Sequence, residues 1–88
     1  MTRTEIHKKV IEYYGNTKQI YKAKEELIEL RDELITFFAW GTKEEVKSEM
    51  ADVLNCIEQL KIMLDISDAE IEQEQDRKMQ RTLERMEG

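Results

Sequence analysis

Two apolar seams of heptad-like spacing, separated by one short turn, constrain this chain more than any other feature of its 88 residues. Ile20, Ala23, Leu27, Leu30, Leu34 and Phe37 form the first, and Val46, Met50, Val53, Ile57, Leu60 and Leu64 the second. Steps of three and four place each set on one helix face, suited to packing against a second helix at a shallow angle. The intervening turn around Trp40-Gly41-Thr42 is short, so the two helices are predicted to be antiparallel neighbours.

Helix-start signals extend this reading along the chain. Thr2 with Glu5, Asn16 with Gln19, Thr42 with Glu45, and Ser67 with Glu70 each set a capping side chain three residues before an acid or amide that can reach back. Gly15 and Gly41 fall where the first two helices should stop. The spacing predicts helices near 3–14, 17–39, 43–64 and 68–86 within a single domain, residues 1–88. With no proline and only three glycines, the fold class is all-α, four helices around a central antiparallel hairpin.

So small a domain buries a limited share of its surface, and oligomerisation is a common remedy. Tyr21, Ile28, Ile35, Phe38 and Trp40 lie off the seams, where they call for contact with the outer helices or with another chain. The fourth helix is the least regular. Ile71, Met79, Leu83 and Met86 sketch a stripe that Gln75 interrupts, and its outer face carries Arg77, Lys78, Arg81 and Arg85.

A net charge of −6 argues against a nucleic-acid partner, while leaving room for a phosphate ligand held through a metal ion. Cys56 is the single cysteine and sits in an apolar helical run, so a buried free thiol in a reducing compartment is expected. His7 is the single histidine, and no zinc-ligand spacing exists. No apolar run approaches a signal core or a membrane span, which leads to an expectation of a cytoplasmic protein with no membrane partner.

Against that scaffold stand two acidic dyads, Glu26 with Glu29 and Glu49 with Asp52. At ~100° per residue, Glu26 and Glu49 lie roughly 65–70° from their seam centres, and Glu29 and Asp52 roughly 125–130°. The displacement has one rotational sense, so antiparallel packing brings both dyads to one flank. Counted from the turn, Glu29 falls near the level of Glu49 and Asp52, with Glu26 a turn away. Glu33 and Glu45 flank the dyads toward the turn, and Gln19 and Gln59 lie beyond them on the far side. Four converging carboxylates suit a hard divalent cation. In a chain with 20 acidic residues the same spacing also describes a solvated helix face, and geometry alone leaves both readings open.

Glu25-Glu26-Leu27-Ile28-Glu29, followed by Glu49-Met50-Ala51-Asp52-Val53-Leu54, resembles the EExxE…ExxD signature of the MazG-like nucleotide pyrophosphohydrolases. The approach Tyr14-Gly15-Asn16 to Gln19, the segment Asn55 to Leu60, and the tail Arg81 to Met86 are similar to compact, phage-type members of that all-α superfamily. The resemblance implies Mg²⁺-dependent hydrolysis of a nucleoside triphosphate to the monophosphate and pyrophosphate by a homodimer or homotetramer, with Mn²⁺ as a substitute ion. It implies Glu26, Glu29, Glu49 and Asp52 as metal ligands, with Glu25 as the adjacent motif acid. Glu29 or Glu49 would accept the proton of the attacking water.

Lys22, on the flank one turn before Glu26, and Lys78, Arg81 and Arg85 from the fourth helix are candidate phosphate contacts. Trp40 is a candidate base-stacking side chain, and Asn55, Gln19 and Gln59 are candidates to read a base edge. Longer relatives carry Asn where Gln59 stands, a departure that bears on base preference. The sister phosphoribosyl-ATP branch carries a Tyr-His pair where this chain has Leu54-Asn55-Cys56, which ranks that activity second among enzymes. A non-catalytic helical module for self-association or partner binding is the rival class, favoured by the seams and the surplus apolar residues.

Overall fold

Each helix boundary follows from a local backbone requirement. The computed structural model describes residues 1–88 as four α-helices, α1 (Arg3–Tyr14), α2 (Asn16–Phe37), α3 (Lys43–Met63) and α4 (Asp68–Glu87), with no strand. At the start of α1, Thr2 Oγ1 accepts from the Glu5 N–H at 3.1 Å. Thr42 and Ser67 close full capping boxes with Glu45 and Glu70 at the starts of α3 and α4. Each box satisfies two backbone donors that the first turn leaves free.

The start of α2 departs from the expectation of an Asn16 cap. Asn16 is already helical, and the cap is Gly15, which offers no side-chain bond. Gly15 has φ 87°, a left-handed backbone that only glycine takes without strain. It ends α1 by donating its N–H to the Ile11 carbonyl at 2.8 Å, and its own carbonyl accepts the Gln19 N–H of α2 at 3.2 Å. One residue therefore joins the two helices, and no side-chain cap is needed.

Helix α2 ends at Phe37, two residues before the expected stop. The Thr36 carbonyl collects the N–H groups of Ala39, Trp40 and Gly41 at 3.0, 2.9 and 3.0 Å, winding the chain into the turn. Gly41 passes so near that a Cβ there would lie 2.5 Å from the Phe37 Cα. At the end of α3, Asp65 takes φ 54° and Ile66 donates back to the Lys61 carbonyl at 2.9 Å. This is a Schellman stop with aspartate in place of the usual glycine.

Helices α2 and α3 form the principal packed pair, and α1 lies against both. The seams are only partly covered. Ala23 and Val53 are buried, joined by Cys56, but Leu27, Leu34, Phe37, Met50, Ile57 and Leu64 remain exposed. The reason is one-sidedness: α1 covers the flank carrying Gln19, Ala23, Cys56 and Gln59, and nothing covers the other. Cys56 is a buried free thiol, as its apolar setting implied.

Helix α4 has no buried residue. Its start is tied to α3 by an ion pair between Lys61 and Asp68, with Ile66 and Ile71 half-buried, and the rest extends into solvent. The radius of gyration, 15.9 Å, exceeds the about 12 Å of a compact chain this long. No helix is long and apolar enough to cross a membrane.

Candidate metal centre

The wheel angles decide which acids turn inward. Glu26 is buried, Glu49 is half-buried and Asp52 is exposed. One carboxylate oxygen from each of the three lies within 4.8 Å of the others. Glu29 is exposed and stands outside this trio, beside Glu26. Glu29, expected near the level of Glu49 and Asp52, lies close enough for the Glu49 charge to act on it. Glu26 and Glu49 sit nearer their seams, so their carboxyls enter the interface. Glu29 and Asp52 form the outer edge.

Buried carboxylates demand partners, because desolvating a charge is costly unless it is paired and hydrogen-bonded. With its acidic neighbours ionised, Glu26 has one on one oxygen only. Lys22 Nζ lies 2.8 Å from Glu26 Oε1, while Oε2 is buried without a donor. Glu49 Oε2 is likewise buried and unpartnered. Such orphaned atoms are few in folded proteins, and here two occur on facing helices in one cluster.

The neighbouring charges shift protonation in opposite directions. The hydrogen bond from Lys22 holds the Glu26 carboxyl below its ordinary value, against the upward push of burial. Glu29 is raised, first by the hydrogen bond its protonated carboxyl makes to Glu26 and then by the Glu26 charge. Glu33 is raised in the same way by Glu45, the acid pair nearer the turn. Lys22 is raised by its bond to Glu26, and burial raises the Cys56 thiol.

The donor set fits a hard cation. An ion bonded to oxygens at about 2.1 Å spans about 4.2 Å across, so small side-chain rotations bring atoms spaced as these are onto a shared Mg²⁺. Three carboxylates leave coordination positions for water and a ligand oxygen. The two orphaned oxygens are what a metal ion would satisfy.

Beside the cluster opens a cleft of about 610 Å³, within the range of small-molecule sites. Glu25, Glu26 and Asp52 stand at its acidic side. Lys18, Lys22 and Asn55 add polar contacts, and Tyr14 and Tyr21 add rings. Lys22 and Asn55 thus reach the place their sequence positions suggested. Lys78, Arg81 and Trp40 do not line the cleft; the first two ride on the projecting α4, and Trp40 is exposed at the turn.

At the amide end, Gln19 Nε2 donates to Gln59 Oε1 at 2.7 Å, and Gln59 Nε2 meets His7 Nδ1 at 3.2 Å. All three side chains are buried. Gln19 and Gln59 also line the cleft, and Gln59 is bonded on both sides within this chain. His7, Lys18, Tyr14 and Tyr21 were missed as site-forming residues. Lys18 lies one turn before Lys22 and was recoverable by that spacing. His7 and Tyr14 depend on how α1 is set at Gly15, which no periodicity encodes. Set against protein-family models, curated proteins and solved structures, the chain matches none.

Proposed function

We propose that this chain is a Mg²⁺-dependent nucleotide pyrophosphohydrolase of the MazG-like kind, cleaving a nucleoside triphosphate to the monophosphate and pyrophosphate. The single observation that carries the reading is the pair of buried, unpartnered oxygens, Glu26 Oε2 and Glu49 Oε2, in one carboxylate cluster whose Glu26 and Asp52 line an open cleft. Glu26, Glu49 and Asp52 hold the ion, and Glu29 completes the set from its exposed edge. When bound, the ion supplies an activated water and neutralises phosphate oxygens. Glu29, whose protonation is already raised by Glu26, takes up the proton from the attacking water at its carboxylate. Lys18 and Lys22 face the phosphate chain, and Tyr14, Tyr21 and Asn55 face the nucleoside.

The uncovered apolar face supports a second element of the reading. Leu27, Leu34, Phe37, Met50 and Ile57 are all exposed on one hairpin. We assign that face to a homodimer or homotetramer contact, which also gives α4 a surface to lie on. The same face favours the rival class, a helical module that only self-associates or binds a partner.

Purified protein incubated with Mg²⁺ and a panel of triphosphates, phosphoribosyl-ATP included, separates the two. Release of monophosphate and pyrophosphate, abolished by chelation, is the expected result. No turnover of any member would leave the binding module as the account of this chain.

A further inference from the structure

The cluster holds an ammonium where a cation should be. Lys22 Nζ lies 2.8 Å from Glu26 Oε1, and its side chain is 54 % exposed against 5 % for that of Glu26. The two partners are therefore unequal: the carboxylate is locked between helices, and the ammonium sits on a flexible four-carbon stem at the cleft wall. A divalent ion that reaches the orphaned Glu26 Oε2 comes next to that ammonium. Two cations then compete for one carboxylate, and the half-solvated one is free to move. Within reach of its stem is the cleft wall that Lys18, one turn earlier on α2, also lines.

We infer that Lys22 is an exchangeable counter-ion: it neutralises Glu26 while no metal is present, and on metal entry it is released to bind a phosphate group in the cleft. This rests on the metal-centre reading above and deepens it. Metal and phosphate then strengthen one another's binding, because the metal frees the group that the anion needs, and linkage makes the coupling reciprocal. The ligand class follows from the chemistry: a polyphosphate, whose charge repays the transfer of an ammonium away from a carboxylate. Lys22 thereby acts as a positioning residue with two alternative partners, and a merely structural lysine would have one.

The test needs no turnover. Calorimetric titration with Mn²⁺ alone compares the wild type with Lys22→Met and Lys18→Met. Lys22→Met is expected to bind Mn²⁺ about fivefold tighter, since an ion pair of this exposure is worth about that factor, with a smaller gain in Lys18→Met. A structural role for Lys22 would instead weaken Mn²⁺ binding. The second arm uses pyrophosphate in the presence of chelator, and it stands even where Lys22→Met folds poorly. Glu26→Gln releases Lys22, whereas Glu49→Gln removes the same charge without releasing it. Glu26→Gln is expected to gain several-fold more pyrophosphate affinity than Glu49→Gln, and the excess is expected to vanish in the Glu26→Gln, Lys22→Met double variant. Equal gains in the two single variants, or unchanged Mn²⁺ affinity in Lys22→Met, would overturn the exchange while leaving the metal centre standing. Absence of Mn²⁺ binding by the wild type would overturn both.

Discussion

The flank between α2 and α3 buries polar groups at two places, and the two behave in opposite ways. At the amide end, Gln19, Gln59 and His7 are buried and bonded to one another in a chain. At the carboxylate centre, Glu26 and Glu49 carry buried oxygens with no donor. A buried amide chain that satisfies itself is a piece of structure, worth keeping for the register it enforces between α1, α2 and α3. Buried carboxylate oxygens without donors are incomplete as structure. The contrast teaches that burial alone does not call for a ligand; burial without a partner does.

Replacing one carboxylate of the centre gives the largest expected effect. Glu49→Gln should lower the proposed pyrophosphohydrolase activity by more than the roughly 10–100-fold that loss of an outer-shell group costs, with the far-ultraviolet circular dichroism unchanged. Full activity in that variant would put the ion elsewhere. The matching change at the amide end is Gln59→Leu, which strands Gln19 and His7 without partners. It should lower stability by about 2–4 kcal/mol in chemical denaturation and leave Mn²⁺ affinity as it was. A Gln59→Leu protein as stable as the wild type would mean that the amide chain contributes nothing to the fold.

Mg²⁺ itself should sharpen the contrast. At a hundred times its Kd it is expected to stabilise the wild type by about 2.7 kcal/mol, read as a rise in thermal midpoint, and Glu26→Gln should show none of it. An equal rise in Glu26→Gln would mean that the ion binds outside the cluster.

The smallest effect is on pH. Glu26 is held low by Lys22, so its contribution is fully present above the ordinary carboxylate range and is lost as pH falls through its depressed value. Glu29 and Glu33 are held high by Glu26 and Glu45, so repulsion at each destabilises the fold at neutral pH and is relieved as pH falls through their raised values. Metal-free stability should therefore rise slightly on acidification from neutral pH through the raised values of Glu29 and Glu33, and fall at more acid pH through the depressed value of Glu26. Saturating Mg²⁺ should remove the part of the rise that Glu29 contributes and leave the part from Glu33, which stands outside the cluster. A metal-free curve that falls steadily from pH 7 would show that the acid pairs do not repel as described.

Much of this was legible in the residues themselves. Capping pairs marked the starts of α1, α3 and α4 because a side chain three residues from its acid closes a turn locally. The same rule misplaced the start of α2, where the positive φ of Gly15 replaces a side-chain cap. The wheel separated Glu26 and Glu49 from Glu29 and Asp52, because angle about a helix axis is a property of sequence spacing alone. The seams were misleading about burial: Leu27, Leu34 and Met50 satisfy the heptad but face no partner within one chain. His7 was illegible as part of an amide chain, since its partner Gln59 is 52 residues away in sequence and Gln19 lies across the Gly15 link. Lys78 and Arg81 lie on α4, which does not carry them to the cleft.

The most direct measurement is a Mn²⁺ titration of three metal-free proteins, followed by water-proton relaxation: wild type, Glu49→Gln and Gln59→Leu. The account expects saturable binding in the wild type and in Gln59→Leu, and none in Glu49→Gln. Wild-type binding that survives undiminished in Glu49→Gln, or no binding by the wild type, would contradict it.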